Sequence, residues 1–232
     1  MKNRQLKTIG VIGGMGPRAT VRFEQCIIEN SNASSDKDFP SIITYNNSQI
    51  EDRTLSLQEN GGKKYVQDVI STGKALIGMG ADFLVMPCNT AHARYDEIQH
   101  ALSRPLINMV ERVLRVVEKK QGKVAILGTT GILKERVYER GCIVRKIPYH
   151  IHREQDQRMI MEAIYLIKRG EFSGAVKSIQ PVIRWLEKNG IKRAILACTE
   201  LPLIKDMIKT DVELIDSVDI LAKATVQYSC GK

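Results

Sequence analysis

Two cysteines stand where this chain could do chemistry. Cys88 closes the apolar run Phe83-Leu84-Val85-Met86-Pro87 and is followed by Asn89-Thr90. Cys198 closes Arg193-Ala194-Ile195-Leu196-Ala197 and is followed by Thr199-Glu200. A lone cysteine ending a buried strand is by default a small core hydrophobe. Two in matching settings point further, because ligands of open α/β sheets bind at the carboxyl ends of the strands. A thiol at the start of a following helix also has its thiolate favoured by free N–H groups and the helix dipole. Two thiols facing one cleft suit the inversion of a stereocentre. One thiolate takes a proton from carbon while the partner thiol delivers a proton from behind, and the roles exchange in the reverse direction. A free thiol titrates near ~8.5, so both protonation states lie within reach of neutral pH. The carbanion-like transition state needs fixed donors, for which the backbone N–H groups near Asn89, Thr90 and Thr199 are candidates.

Other chemistries fit less well. A nucleophilic-cysteine hydrolase or isomerase wants a histidine base nearby, and the chain has only His92, His100, His150 and His152. His92 lies four residues beyond Cys88, so a Cys–His pair stays open; the plainer reading is a helix residue near the site or on the surface. The glycines of Gly10…Gly13-Gly14-Met15-Gly16 invite a dinucleotide reading but lack the full Gly-x-Gly-x-x-Gly placement. Glu24 and Glu29, the acids nearest the required distance, fall inside the expected first helix.

The elements that must position these thiols alternate short apolar runs with longer amphipathic ones, which predicts parallel sheets covered on both faces by helices. Strands are expected at Thr8–Ile12, Ser41–Asn46, Phe83–Met86, Lys123–Leu127 and Arg193–Ala197. Helices are expected over about Ala19–Asn30, Gly62–Met79, from about His92, Arg153–Arg169 and Phe172–Asn189. Gly170 sits where a left-handed cap would close the fourth of these. The plan repeats. Ile9-Gly10-Val11-Ile12-Gly13 resembles Val124-Ala125-Ile126-Leu127-Gly128, 115 positions later, and the Cys88 run resembles the Cys198 run, 110 positions later. Two similar α/β halves follow, with a boundary near Asn108, after Arg104-Pro105.

Composition narrows the function classes. The chain has 232 residues, 43% of them hydrophobic, enough for a real core. Its net charge of +9 fits a basic protein or one that gathers a small anion into a cleft. The basic residues form no arm and do not interleave with aromatics, so nucleic acid is not an expected partner. Five cysteines, an odd number with no Cys-x-x-Cys spacing, suggest neither a disulfide framework nor a zinc site, and reduced thiols suggest the cytoplasm. The basic N-terminus runs into glycines and makes a poor signal peptide. No apolar run approaches the ~20 residues of a membrane span, so no membrane partner is expected. Cys26 reads as helix core, Cys142 as the start of a turn or strand, and Cys230 as part of a mobile tail.

Three motifs together carry a resemblance that covers essentially the whole chain. Gly10-Val11-Ile12-Gly13-Gly14-Met15-Gly16-Pro17, Met86-Pro87-Cys88-Asn89-Thr90-Ala91-His92 and Ala197-Cys198-Thr199-Glu200-Leu201-Pro202 resemble, in order and spacing, the aspartate/glutamate racemase family. The resemblance implies two pseudo-symmetric α/β domains, residues 1–108 with 206–232 and residues 109–205, with the active site in the cleft between them. It implies no pyridoxal phosphate, no metal, a homodimer, and Cys88 and Cys198 as paired acid/base residues, Cys88 acting on the D- and Cys198 on the L-enantiomer. The chain looks like the aspartate branch. Where glutamate racemases carry Asp-Ser after the first strand it has Met15-Gly16, and where they carry Thr-His after the second cysteine it has Thr199-Glu200. Glu51-Asp52-Arg53-Thr54 resembles the segment whose arginine grips a substrate carboxylate, and Ala163–Gly170 the one with a carboxylate-binding lysine, which gives those roles to Arg53 and Lys168. Read without the resemblance, Arg53 is a solvated loop arginine and Lys168 a cation suited to the last turn of a helix. At the strand ends of the first half, Met15, Gly16, Asn89 and Thr90 are expected to touch substrate. In the second half the corresponding contacts are Thr129, Thr130, Thr199 and Glu200. Some relatives replace one cysteine by threonine; this chain keeps both, which favours racemisation in both directions. The alternatives are a glutamate or broad-specificity racemase of the same mechanism, a single-cysteine hydrolase or isomerase, and a non-catalytic amino-acid-binding protein.

Overall fold

The computed structural model describes residues 6–231. In chain order the first elements are β1 (Ile9–Gly13), α1 (Pro17–Asn30), β2 (Ile42–Asn46), α2 (Arg53–Asn60), α3 (Lys63–Gly78), β3 (Phe83–Val85), α4 (Tyr95–His100) and β4 (Leu106–Ile107). There follow α5 (Met109–Glu118), β5 (Val124–Gly128), α6 (Thr130–Lys134), α7 (Glu139–Val144), β6 (Tyr149–His150), α8 (Glu154–Arg169), α9 (Phe172–Lys188), β7 (Arg193–Ala197), β8 (Glu213–Asp216) and α10 (Ser217–Ser229). No helix among the described residues is long and apolar enough to cross a membrane.

The strands form two four-stranded sheets, each wholly parallel, in the orders β2-β1-β3-β4 and β6-β5-β7-β8. The repeated sequence runs thus supply the two central strands of each sheet, whose five- and three-residue apolar stretches are buried on both faces. Each sheet has the same topological switch point, between β1 and β3 in one and between β5 and β7 in the other.

The chain divides into two compact units, one of the described residues through Met109 together with those from Val218, the other Val110–Ser217. In the first, alternation along the strands sends Ile9, Val11, Phe83 and Val85 to a face covered by Phe23 and Ile27 of α1 and by Val218, Leu221 and Ala222 of α10. Ile12 and Leu84 face the opposite way, toward Val66, Val69 and Leu76 of α3. In the second, Ala125, Leu127, Ala194 and Leu196 pack under Ile160, Ile164 and Ile167 of α8 and Ile179, Val182 and Ile183 of α9. Gly170 caps α8 in the left-handed conformation, φ 85°, as its position predicts.

The chain returns to the first unit later than the sequence implies. Residues 206–217 belong to the second, because β8 pairs with β7 from Arg193↔Glu213 to Leu196↔Asp216 and α10 alone crosses back. Cys142 also differs from expectation, lying buried within the short helix α7, while Cys26 is core in α1 as expected.

Candidate active site

The first group of candidate residues is built at the switch point of the first sheet. β1 runs into Gly14, whose φ is +92° and where a Cβ would stand 2.1 Å from the Asn47 carbonyl oxygen, so only glycine fits. The hydroxyl of buried Thr20 accepts from the Gly14 N–H and donates to the Gly16 carbonyl, both at 3.0 Å. Gly16 caps α1, and Pro17 opens it. This turn folds Met15 inward, into the same apolar cluster as Cys88.

Cys88 follows β3 across Met86-Pro87, and its N–H donates to the Met86 carbonyl at 2.8 Å. Cys88 is 4% exposed, and Asn89 and Thr90 are buried beside it. The segment after it is a five-residue 3-10 turn, Thr90–Arg94; the α-helix starts only at Tyr95. The full helix dipole expected behind this thiol is therefore absent, since the carbonyls of so short a turn do not line up into one.

His92 is the residue whose role the sequence leaves open. Its Nδ1–H donates to the Cys88 carbonyl at 2.8 Å, and its Nε2 accepts from the Met109 N–H at 3.1 Å. The Met109 donor fixes the tautomer. Burial pushes its pKa down to about 4, against the opposing pull of backbone hydrogen bonds at Cys88 and Ile107. Both ring nitrogens face backbone rather than the thiol, so His92 pins the Cys88 loop to the end of β4 and is not a base for the Cys88 sulfur.

Arg53 is not the solvated loop arginine of the plain reading. It is the first residue of α2, behind an Asp52 cap that accepts from the Thr54 and Leu55 N–H groups, and it is 8% exposed. Nη1 donates to the carbonyls of Ile50 at 3.3 Å and Glu51 at 3.1 Å, while Nε is buried without a hydrogen-bond partner. No carboxylate among the described residues forms an ion pair with it. The guanidinium is thus buried with its Nε donor uncommitted.

The second group repeats the plan at the switch point of the second sheet. Thr129 caps α6 through its hydroxyl, which accepts from the Ile132 N–H at 3.2 Å, and is itself buried; the Thr130 N–H points at the Met161 sulfur, 3.3 Å away. Gln157 of α8 donates to the Gly128 carbonyl at 2.9 Å and so fixes this loop against the helix, a role with no sequence signal. Cys198, 5% exposed, ends β7, and its thiol donates to Oε2 of Glu200 at 2.9 Å. Burial pushes that thiol well above its ordinary range, Glu200 adds to the rise, and the charge of Lys168 acts weakly against it. This reverses the expectation of a favoured thiolate: a 3-10 turn, Leu201–Met207, follows here too, and a carboxylate is the nearer charge. Lys168 lies in the last turn of α8, exposed, with Nζ 5.7 Å from the centre of the Tyr165 ring.

All five cysteines are free thiols. Among the described residues, no three His, Cys, Asp or Glu side chains group as a metal site.

The chain is similar over nearly its whole length to known proteins. It is 29% identical over 224 residues to the broad specificity amino-acid racemase of Bacillus subtilis (strain 168), covering 94% of this chain and 96% of that one. The structure of Picrophilus torridus aspartate racemase superposes with a TM-score of 0.85 at 30% identity, over 96% of this chain and 94% of the other. An aspartate racemase homologue from Pyrococcus horikoshii OT3 superposes with a TM-score of 0.76 at 26% identity, over 97% and 99% of the two chains. Residues 12–225 match the Asp/Glu/hydantoin racemase family, and the chain belongs to it.

Proposed function

We propose that the protein is a cofactor-independent amino-acid racemase that interconverts L- and D-aspartate by proton transfer at the α-carbon between two thiols, Cys88 and Cys198. The observation that carries this reading is that in each sheet a buried free cysteine follows the third strand, beside the switch point. With the L-enantiomer, Cys198 takes the α-proton and Cys88 delivers one to the opposite face. With the D-enantiomer the roles exchange, and the protonated Cys198 thiol is already in the delivering form.

Arg53 is assigned one substrate carboxylate, for which its unpaired Nε and buried charge are suited. Lys168 is assigned the other, as a point charge on a mobile stem. Met15, Gly16, Asn89 and Thr90 on one side, and Thr129, Thr130, Thr199 and Glu200 on the other, complete the substrate contacts. Backbone N–H groups after the two cysteines serve the developing carbanion. A second reading, racemisation of several amino acids including glutamate, is favoured by the similarity to a broad-specificity enzyme and by the exposure of Lys168, which constrains a side-chain carboxylate little. The protein is further proposed to work as a cytoplasmic homodimer; sedimentation as a 26.1 kDa species under assay conditions would remove the dimer.

The test is proton NMR of L-aspartate in D₂O with chelated, pyridoxal-free protein. The α-proton signal should vanish as D-aspartate appears on a chiral column. A signal unchanged over hours ends the aspartate reading, and a panel of other amino acids then separates broad specificity from binding without turnover.

A further inference from the structure

Within the second unit, Cys198 and Glu200 make a buried pair that a substrate contact alone does not explain. The thiol donates to Oε2 at 2.9 Å, and the Thr199 hydroxyl reaches the same oxygen at 3.5 Å. The other oxygen, Oε1, is buried and has no hydrogen-bond partner, although Glu200 is only 4% exposed. Glu200 forms no ion pair among the described residues. A carboxylate buried without a cation is costly, and an orphaned oxygen within it is costlier. The arrangement is complete only when something brings a positive donor to Oε1. An amino acid carries one, its α-ammonium.

We propose that Glu200 is the proton partner of Cys198 and the receptor for the substrate's α-ammonium, Oε2 exchanging a proton with the thiol while Oε1 accepts from the ammonium. The ammonium half rests on the amino-acid reading above; the proton half does not. The Cys198 S–H bond breaks and an O–H bond forms on Oε2, leaving a thiolate beside a neutral carboxylic acid. The thiolate then takes the α-proton and its S–H bond is remade, so the pair holds one proton before abstraction and two after. In reverse the thiol gives its proton to the carbanion and the acid of Glu200 restores it. A sulfur so deeply buried is thereby supplied from a neighbour rather than from bulk water.

Two charged side chains act on this thiol, Glu200 from its own turn and Lys168 from α8; the first pushes its pKa up with burial, the second down. Replacing the first should therefore move the thiol in a known direction. The experiment follows alkylation of the Cys198 peptide by iodoacetamide against pH, using mass spectrometry. In Glu200→Gln the midpoint should fall by roughly one pH unit or more, because a neighbouring like charge is gone. In Glu200→Asp, which loosens the packing but keeps the charge, it should stay near the wild-type value. An unmoved midpoint in Glu200→Gln, or an equal fall in both variants, overturns the proton half.

Calorimetry tests the ammonium half. Glu200→Gln should weaken aspartate by roughly tenfold to a hundredfold, the loss of a charged hydrogen bond, yet leave succinate, the same dicarboxylate without an amino group, unchanged. Equal weakening of both overturns it. Should Glu200→Gln fail to fold, infrared spectra of the unmodified protein decide: the S–H stretch lost in Cys198→Ser must lie below those of the other cysteines, and a band at or above them refutes the pair. A midpoint that falls as expected in a protein that exchanges no α-proton leaves the pair standing and removes the racemase reading instead.

Discussion

The carbonyl of Cys88 and the ring of His92 are joined at 2.8 Å, and the far nitrogen of that ring holds the Met109 N–H at 3.1 Å. One imidazole therefore ties a strand-end thiol to the start of α5. Replacing His92 by alanine removes two buried hydrogen bonds, at a cost of about 2–4 kcal/mol in unfolding free energy. It should also lower kcat by roughly tenfold to a hundredfold through a displaced thiol, with KM nearly unchanged. His92→Gln, which can donate and accept, should recover part of both. Steady-state kinetics beside urea unfolding checks this; a variant with full kcat would show that the thiol needs no such anchor.

The same ring sets an acid limit. His92 and His152 both have pKa values lowered to about 4 in the folded chain, chiefly by burial, against the usual 6.5 of an exposed histidine. Between these values the unfolded chain binds the proton and the folded chain does not, so stability falls as pH drops from 6.5 toward 4, by about 3 kcal/mol for each ring. Above 6.5 the two rings contribute no slope. Urea midpoints at a series of pH values should show this decline, and His92→Gln should flatten it by that residue's share. A flat profile from 7 to 4.5 would show the rings to be protonated in the fold.

Each thiol is indispensable on the two-base reading. Cys88→Ala and Cys198→Ala should each reduce racemisation by at least about 10³-fold, since general acid or base catalysis by one group is lost outright. Their circular dichroism should match the wild type, because each removes one small sulfur. Near-native turnover in either variant would sink the mechanism.

Arg53 offers a separation of binding from folding. In Arg53→Met two hydrogen bonds to the Ile50 and Glu51 carbonyls disappear, but so does a buried charge without an ion-pair partner. These losses and gains nearly cancel, leaving unfolding free energy within about 1 kcal/mol of wild type. KM for aspartate should rise roughly tenfold to a hundredfold with the loss of a charged carboxylate contact. A large fall in stability with KM intact would make Arg53 a structural residue.

What the sequence made legible follows from how strongly each feature is encoded. Ile9–Gly13, Val124–Gly128 and residues 194–197 are continuous apolar runs, and such runs have few alternatives to a buried parallel strand. The capping glycine of α8 was readable for the same reason, as one residue type fits one backbone geometry. The strands β4 and β6 escaped because two residues carry no periodicity, and the turns after the two cysteines because five to seven residues cannot distinguish a 3-10 from an α-helical winding. Of the candidate residues, the strand-end placement of Cys88 and Cys198 was visible in the sequence. The burial of Arg53, the exposure of Lys168 and the two-sided bonding of His92 were not, for each depends on what the rest of the chain packs around it.

The equal strand order of the two sheets gives each unit one cysteine at a corresponding station. A fold that repeats one plan offers a similar station twice. Most reactions would be poorly served, because their two ends differ in energy and need different handling. Mirror-image molecules have equal free energy in water, so a doubled architecture meets a doubled task. The two stations carry different side chains, Asn89-Thr90 after one sulfur and Thr199-Glu200 after the other. On the proposed reading, those four side chains would be where a protein of one handedness meets a substrate that comes in both.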